Sequence, residues 1–182
     1  TINTLTLCEW LCRHPKINVH GPANPRNANH AIAEKCLYMG LPAPLVTFDF
    51  EGDGTRPIFT RGVFKRFFDM LDPAFGHQVS LGQPNTVCLC PAITSHSEMS
   101  LDALRDAGIA LTTTRVAVGT EDPRTLCVHL LAAARKTLDT EVPGFTDGFP
   151  GCEELDEIYQ RRYSEVHTKY AQSLPTCAEL MK

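Results

Sequence analysis

The chain has 182 residues, 43% of them hydrophobic, and a formal net charge of −4. That length fits one domain, or one domain with an appendage, and the apolar share can build a core. The charge excludes the basic footprint of a nucleic-acid binder, and no apolar run reaches the ~18 residues of a bilayer span.

In Thr1 to Arg13, Ile2, Leu5, Trp10 and Leu11 form no clean stripe, but the Leu7–Leu11 spacing and the absence of Gly and Pro favour a helix, ended by His14-Pro15. Lys16 to His20 alternates like a short strand, and GPANPRN is a loop of turn formers. Ala28 to Met39 reads as a helix closed near Gly40. In LVTFDFE, Leu45 to Glu51, Val46, Phe48 and Phe50 alternate with Thr47, Asp49 and Glu51, the pattern of a half-buried strand. Ile58 to Leu71 places Val63, Phe64, Phe67, Phe68 and Leu71 on one helical stripe. HQVSLG and NTVCLCPA follow as two strand-like runs. Ser100 can cap a short helix to Ala107, and Thr112 to Val118 is a further strand. Asp122, followed by Pro123, opens a helix carrying Leu126, Leu130, Leu131, Ala134 and Leu138. VPGFTDGFPG breaks the pattern, and Glu153 to Gln172 reads as a charged helix packed on a surface, not in the core. The sum is an α+β fold: a small, mainly antiparallel sheet covered by helices on one face, with a C-terminal helical extension.

The eight cysteines stand at 8, 12, 36, 88, 90, 127, 152 and 177, without a CxxC pair. No charged-then-apolar stretch of the sequence reads as a secretory leader. A cytoplasmic location and reduced, mostly buried thiols are therefore expected. Cys8 and Cys12 share a helix face, and Cys88 and Cys90 share a strand face. His14, His20 and His30 are too scattered for a metal site, and none is expected. A thiol or metal redox module is the competing use of the cysteines.

Arg115 sits mid-strand, sharing a face with Thr113 and Ala117, while Val116 and Val118 point toward the helices. By spacing alone it reads first as an exposed strand charge, with a planar fork for a carboxylate as the second reading. Val79 to Gly82, VSLG, reads as a plain turn or as a hydroxyl and N–H groups offered to an anion. Ser95 and His96 are neighbours in a run taken as extended, so their side chains should point apart and form no dyad.

Five stretches in order resemble the C-terminal domain of the Cys/Met-metabolism PLP-dependent enzymes. EWLCRHPKI with GPANPRNANHAIAEK is similar to the family's "WL..HP.V" and "PGLPSHP.H..A". LVTFDFEG resembles "GGMLSFEL.G", and VFKRFFDMLDPAFGHQVSLG resembles "A..F.D.L.LF..AVSLG". CPAITSHSEMSLDALRDAGI resembles "HPASTTHS.L...E...AGI", and RVAVGTEDPRTLCVHLLAAARKTL resembles "LIRLSVGLED.EDLI.DL..AL". The family includes cystathionine gamma-synthase, methionine gamma-lyase and O-acetylhomoserine sulfhydrylase. The match runs from Thr1 to about Asp139.

The resemblance implies a substrate-closing domain over 1–140 and a helical tail over 141–182. It implies γ-replacement or γ-elimination on homoserine-derived or methionine-like substrates, with pyridoxal 5'-phosphate held by an N-terminal domain. Partners implied are that domain, the amino-acid substrate and further copies of the chain in a dimer of dimers, without nucleic acid or membrane. Arg115 is implied to bind the α-carboxylate, helped by Ser80, the Leu81 backbone and Ser95. Val79 stands where cystathionine-handling members often carry Glu, which tilts the subtype toward a sulfhydrylase or methionine gamma-lyase. The family's cofactor lysine has no match here, so the chain is expected to be a fragment, a cleaved partner or a separately cut domain without a catalytic residue of its own. Gln83 and Pro84 depart from the family pattern, as do Thr113 and Thr114. A non-catalytic interaction domain is the alternative.

Overall fold

Five strands form one sheet in the order β1-β2-β5-β4-β3 in the computed structural model, which describes residues 1–50 and 58–180. They are β1 (Asn18–His20), β2 (Leu45–Asp49), β3 (Gly76–His77), β4 (Val87–Leu89) and β5 (Thr114–Ala117). Every neighbouring pair is antiparallel except β3 with β4. The sheet is therefore mainly antiparallel, as expected, and the fold is α+β. Glu51, the last residue of the expected second strand, lies outside the described residues.

Alternation decides the two faces. Val19, Val46, Phe48, Cys88 and Val116 are buried in the core under the helices. Thr47, Arg115 and Ala117 point the other way and are half-exposed. Phe50 anchors an aromatic cluster, with Phe59, Phe67 and Phe145 edge-on at 5.6, 5.5 and 5.8 Å.

Helix α1 (Ile2–Cys12) buries Thr4 to Cys8, Trp10 and Leu11. That all-round burial explains its lack of a clean stripe, because it lies between the rest of the core and the C-terminal helix. Helix α2 (His30–Cys36) is shorter than the sequence pattern predicts. Met39 takes φ +54° and Gly40 φ +65°, and a Cβ at Gly40 would stand 2.9 Å from the Glu34 carbonyl oxygen. The chain thus turns sharply where the helix was expected to run on. Helix α3 (Arg61–Asp69) buries the expected Val63, Phe64, Phe67 and Phe68. Helix α4 (Leu101–Asp106) is capped by the Ser100 hydroxyl, which accepts from the Ala103 N–H at 3.2 Å. Helix α5 (Pro123–Thr137) starts with Pro123 at its first turn and the Asp122 carboxylate accepting from the Arg124 N–H at 2.9 Å.

The C-terminal part departs from the expectation of a purely surface helix. Helix α6 (Cys152–Ser173) is mostly solvated, yet Leu155 and Ile158 belong to the buried core. The preceding loop buries Phe145 and Phe149, and Phe149 stacks on Trp10 at 4.3 Å with an 11° tilt. Two apolar positions one helical turn apart suffice to insert the edge of an otherwise charged helix. Burying each such side chain contributes about 2 kcal/mol. A last turn of helix, α7 (Cys177–Leu180), ends the described chain.

Candidate functional site

Cross-strand register places Arg115 in one row with three neighbours. Arg115 pairs with Thr47 of β2 and Leu89 of β4, and Thr47 pairs with His20 of β1. All four side chains leave the sheet on the face away from the helices. Arg115 Nη2 donates to the Val79 carbonyl oxygen at 2.8 Å. Its other guanidinium N–H groups have no partner among the described residues, so a planar fork remains for a ligand.

The loop carrying Val79 is not the strand that HQVSLG predicts. Pairing stops at His77, and the Gln78 N–H makes the last bond to the Cys88 carbonyl, at 3.2 Å. Gly82 then adopts φ +84°, a left-handed value that glycine takes without steric cost. Val79 and Leu81 are 62% and 53% exposed, and Ser80 is exposed.

The far end of this loop is tied to the segment after β5. Glu121 accepts from the Thr86 N–H and the Thr86 hydroxyl, both at 2.7 Å. The Gly119 N–H donates to the same hydroxyl at 2.9 Å, and the Thr120 N–H to the Pro84 carbonyl at 2.8 Å. Asn3 of α1 donates to the carbonyls of Gly119 and Glu121 at 3.0 and 2.8 Å. Burial pushes the Glu121 carboxyl up, but the Thr86 bonds outweigh it and hold the group below its ordinary range. The GTED part of the Arg115 motif thus fixes the loop that faces Arg115. Its unbroken run after the strand was the available sequence signal for this role.

Ser95 does not join this group among the described residues. Its hydroxyl shares a 2.8 Å hydrogen bond with His96 Nδ1. The expectation that these side chains point apart is corrected. Bonds from His96 N to the Pro91 carbonyl (2.8 Å) and from Thr94 N to the Cys90 carbonyl (3.0 Å) wind the segment into turns, so strand alternation does not apply.

Sequence reading missed one cluster on the same face. His20 Nε2 donates to Asp49 Oδ2 at 2.5 Å, and Asn18 Nδ2 donates to Asp49 Oδ1 at 2.9 Å. Asp49 is only 5% exposed. The hydrogen bond to Asp49 raises the His20 imidazole above its ordinary value; burial opposes this, and the Asp49 charge adds to it. The alternation of LVTFDFE had already put Asp49 on Arg115's side of the sheet.

All eight cysteines are free thiols. Cys8, Cys88, Cys90 and Cys127 are buried, Cys12 is half-buried, and Cys36, Cys152 and Cys177 are exposed. Burial pushes Cys88 up to about 12 and Cys90 up to about 11, which keeps both as inert thiols at neutral pH. Among the described residues, no group of three or more His, Cys, Asp or Glu is placed to hold a metal ion. No helix among them is long and apolar enough to cross a membrane.

Residues 1–135 match the family described as Cys/Met metabolism PLP-dependent enzyme. O-acetyl-L-homoserine sulfhydrylase 1 of Thermus thermophilus is 30% identical over 132 residues, covering 72% of this chain and 29% of the relative. The crystal structure of cystathione gamma lyase from Micromonospora echinospora is similar with a TM-score of 0.61 and 29% identity, covering 73% of this chain and 32% of that one. Cystathionine gamma synthase from Xanthomonas oryzae, solved with cystathionine, gives a TM-score of 0.60 and 27% identity over 76% of this chain and 33% of its own. The chain spans about a third of the length of these relatives. Among the described residues, Lys35, Lys65, Lys136 and Lys169 lie on α2, α3, α5 and α6 and Lys16 just after α1, and the Arg115 fork fits an anionic group. On the match over residues 1–135 and the shared fold, the chain belongs to the Cys/Met-metabolism PLP-dependent enzyme family.

Proposed function

We propose that this chain is the substrate-closing part of a PLP-dependent sulfur amino-acid enzyme, and that Arg115 binds the substrate's α-carboxylate. The observation that carries the reading is a guanidinium on the non-core face, fixed by a backbone carbonyl and otherwise uncommitted among the described residues. A carboxylate matches that fork with two parallel charge-assisted hydrogen bonds. Ser80 and the Leu81 backbone lie one and two residues beyond the anchoring carbonyl and complete the anion's surroundings. Ser95, whose hydroxyl is bonded to His96 Nδ1 in this conformation, joins the anion only by leaving that bond. Pyridoxal 5'-phosphate, when bound by the PLP-binding domain, supplies the electron sink for chemistry at Cα. The residues of this chain hold the amino acid in register with that sink. The working assembly is a homo-oligomer that joins this domain to the PLP-binding one.

The apolar Val79 side chain, exposed on the loop, cannot pair with the distal ammonium of cystathionine. This favours γ-replacement or γ-elimination on homoserine-derived or methionine-like substrates, in line with one relative named an O-acetyl-L-homoserine sulfhydrylase and another named an L-methionine gamma-lyase. The test is Arg115→Leu in the PLP-loaded enzyme that carries this chain. KM for amino-acid substrates should rise about a hundredfold, the loss of a bidentate charged pair. An unchanged KM sinks the assignment.

A further inference from the structure

His20 shares the Arg115 face and the Arg115 row, with only Thr47 between them. Two steps between paired strand positions separate their Cβ atoms by about 10 Å. Asp49 is buried and holds one imidazole nitrogen, Nε2, at 2.5 Å, while Asn18 holds the other carboxylate oxygen. The His20 side chain is 53% exposed, and its Nδ1 has no partner among the described residues. This is an oriented ring with one nitrogen committed to a carboxylate and the other left for a ligand.

We propose that His20, oriented by Asp49, is the donor that reads the far end of the substrate, and that it selects O-acylated four-carbon amino acids over thioethers. The inference rests on the Arg115 carboxylate reading. An extended homoserine ester spans about 7 Å from its carboxylate to its acyl oxygen, and a hydrogen bond of about 2.9 Å at each end extends its reach to about 13 Å, more than the Cβ spacing along the row. An ester carbonyl accepts a hydrogen bond well, whereas a thioether sulfur accepts one weakly. The Asp49 contact favours the imidazolium, the form in which Nδ1–H donates. Arg115 is a cation in the same row, two strands farther on, and it takes the opposite end of the same molecule.

The experiment compares kcat/KM for O-acetylhomoserine and for methionine in the PLP-loaded enzyme carrying this chain. His20→Leu should lower the preference for the ester by about ten- to a hundredfold while leaving methionine within twofold. Asp49→Asn should give a smaller drop in the same direction. An unchanged preference, or an equal fall for both substrates, overturns the role of His20. Arg115→Leu serves as the control for the underlying reading. It should raise KM for both substrates together, and if it does so while His20→Leu changes nothing, only the His20 assignment fails. A readout independent of turnover uses 15N NMR of the imidazole in the 182-residue chain. His20 should be largely protonated at pH 6.5, and its titration should move down in Asp49→Asn. A neutral ring at that pH in the unsubstituted chain also overturns the proposal.

Discussion

Arg115 is anchored to Val79 through the backbone: its Nη2 meets the Val79 carbonyl oxygen at 2.8 Å, and the Val79 side chain takes no part in the bond. The side chain at 79 can therefore change without releasing the arginine. Val79→Ala should leave KM for amino-acid substrates within about twofold. Val79→Glu puts a carboxylate beside the fork, where it competes with the substrate's own. KM should then rise about tenfold, equivalent to about 1.4 kcal/mol. Steady-state kinetics of the two variants in the PLP-loaded enzyme distinguish them, and equal effects would contradict the backbone anchor.

Gly119 is the tightest point of the clamp between the two site loops. A Cβ there would lie 2.5 Å from the Pro84 carbonyl oxygen, the Asn85 carbonyl carbon and Glu121 Oε2. Two of those contacts are backbone and cannot rotate away. Gly119→Ala should cost about 1–3 kcal/mol through this overpacking. Hydrogen exchange should accelerate at the Thr86 and Thr120 amides. Exchange unchanged at both would show that the loops are not held by this contact.

Trp10 is the single tryptophan, and it is fully buried against Phe149. Its Nε1–H donates to the Pro150 carbonyl at 3.3 Å. Phe149→Ala should destabilise the chain by about 3–4 kcal/mol. A chain ended at residue 140 should show red-shifted tryptophan emission, because the ring loses its cover. An unshifted spectrum would mean that residues beyond 140 do not shield Trp10 in solution.

Two histidines give the chain opposing pH terms. His14 Nδ1 accepts from the Lys16 N–H at 3.1 Å, and Nε2–H donates to the Phe145 carbonyl at 2.9 Å. The ring is thus held neutral. Burial pushes it below its ordinary value, against the raising effect of the Phe145 contact. The unfolded chain binds a proton at His14 more readily, so this contribution is present above about pH 6.5 and is lost as pH falls below it. His20 has the opposite sign. Its folded value is raised, so its contribution is complete below about pH 6.5 and is lost as pH rises through the folded value. Urea midpoints between pH 5 and 8 check this. His14→Gln should flatten the acid-side loss, and Asp49→Asn should flatten the loss on the alkaline side. A reversed sign in either variant would contradict the assigned protonation states.

The sequence by itself determined the sheet's two faces. Period-two alternation in LVTFDFE and TTRVAV assigns Val46, Phe48 and Val116 to the core and Thr47 and Arg115 to the other side, and nothing distant is needed for that. It also determined the caps at Ser100 and Asp122, because capping is a contact over two or three residues. Ordered motif matches gave the family. Tertiary structure decided what lies opposite Arg115. Strand register sets the row from His20 to Leu89, and a carbonyl 36 residues away in sequence holds the guanidinium. The Glu121 clamp across 35 residues and the Trp10–Phe149 stack are likewise long-range. The turn that joins Ser95 to His96 was hidden for a related reason: its backbone bonds override the extended reading that the local pattern favours. Local periodicity states which way a side chain points, but only the closed fold states what it meets there.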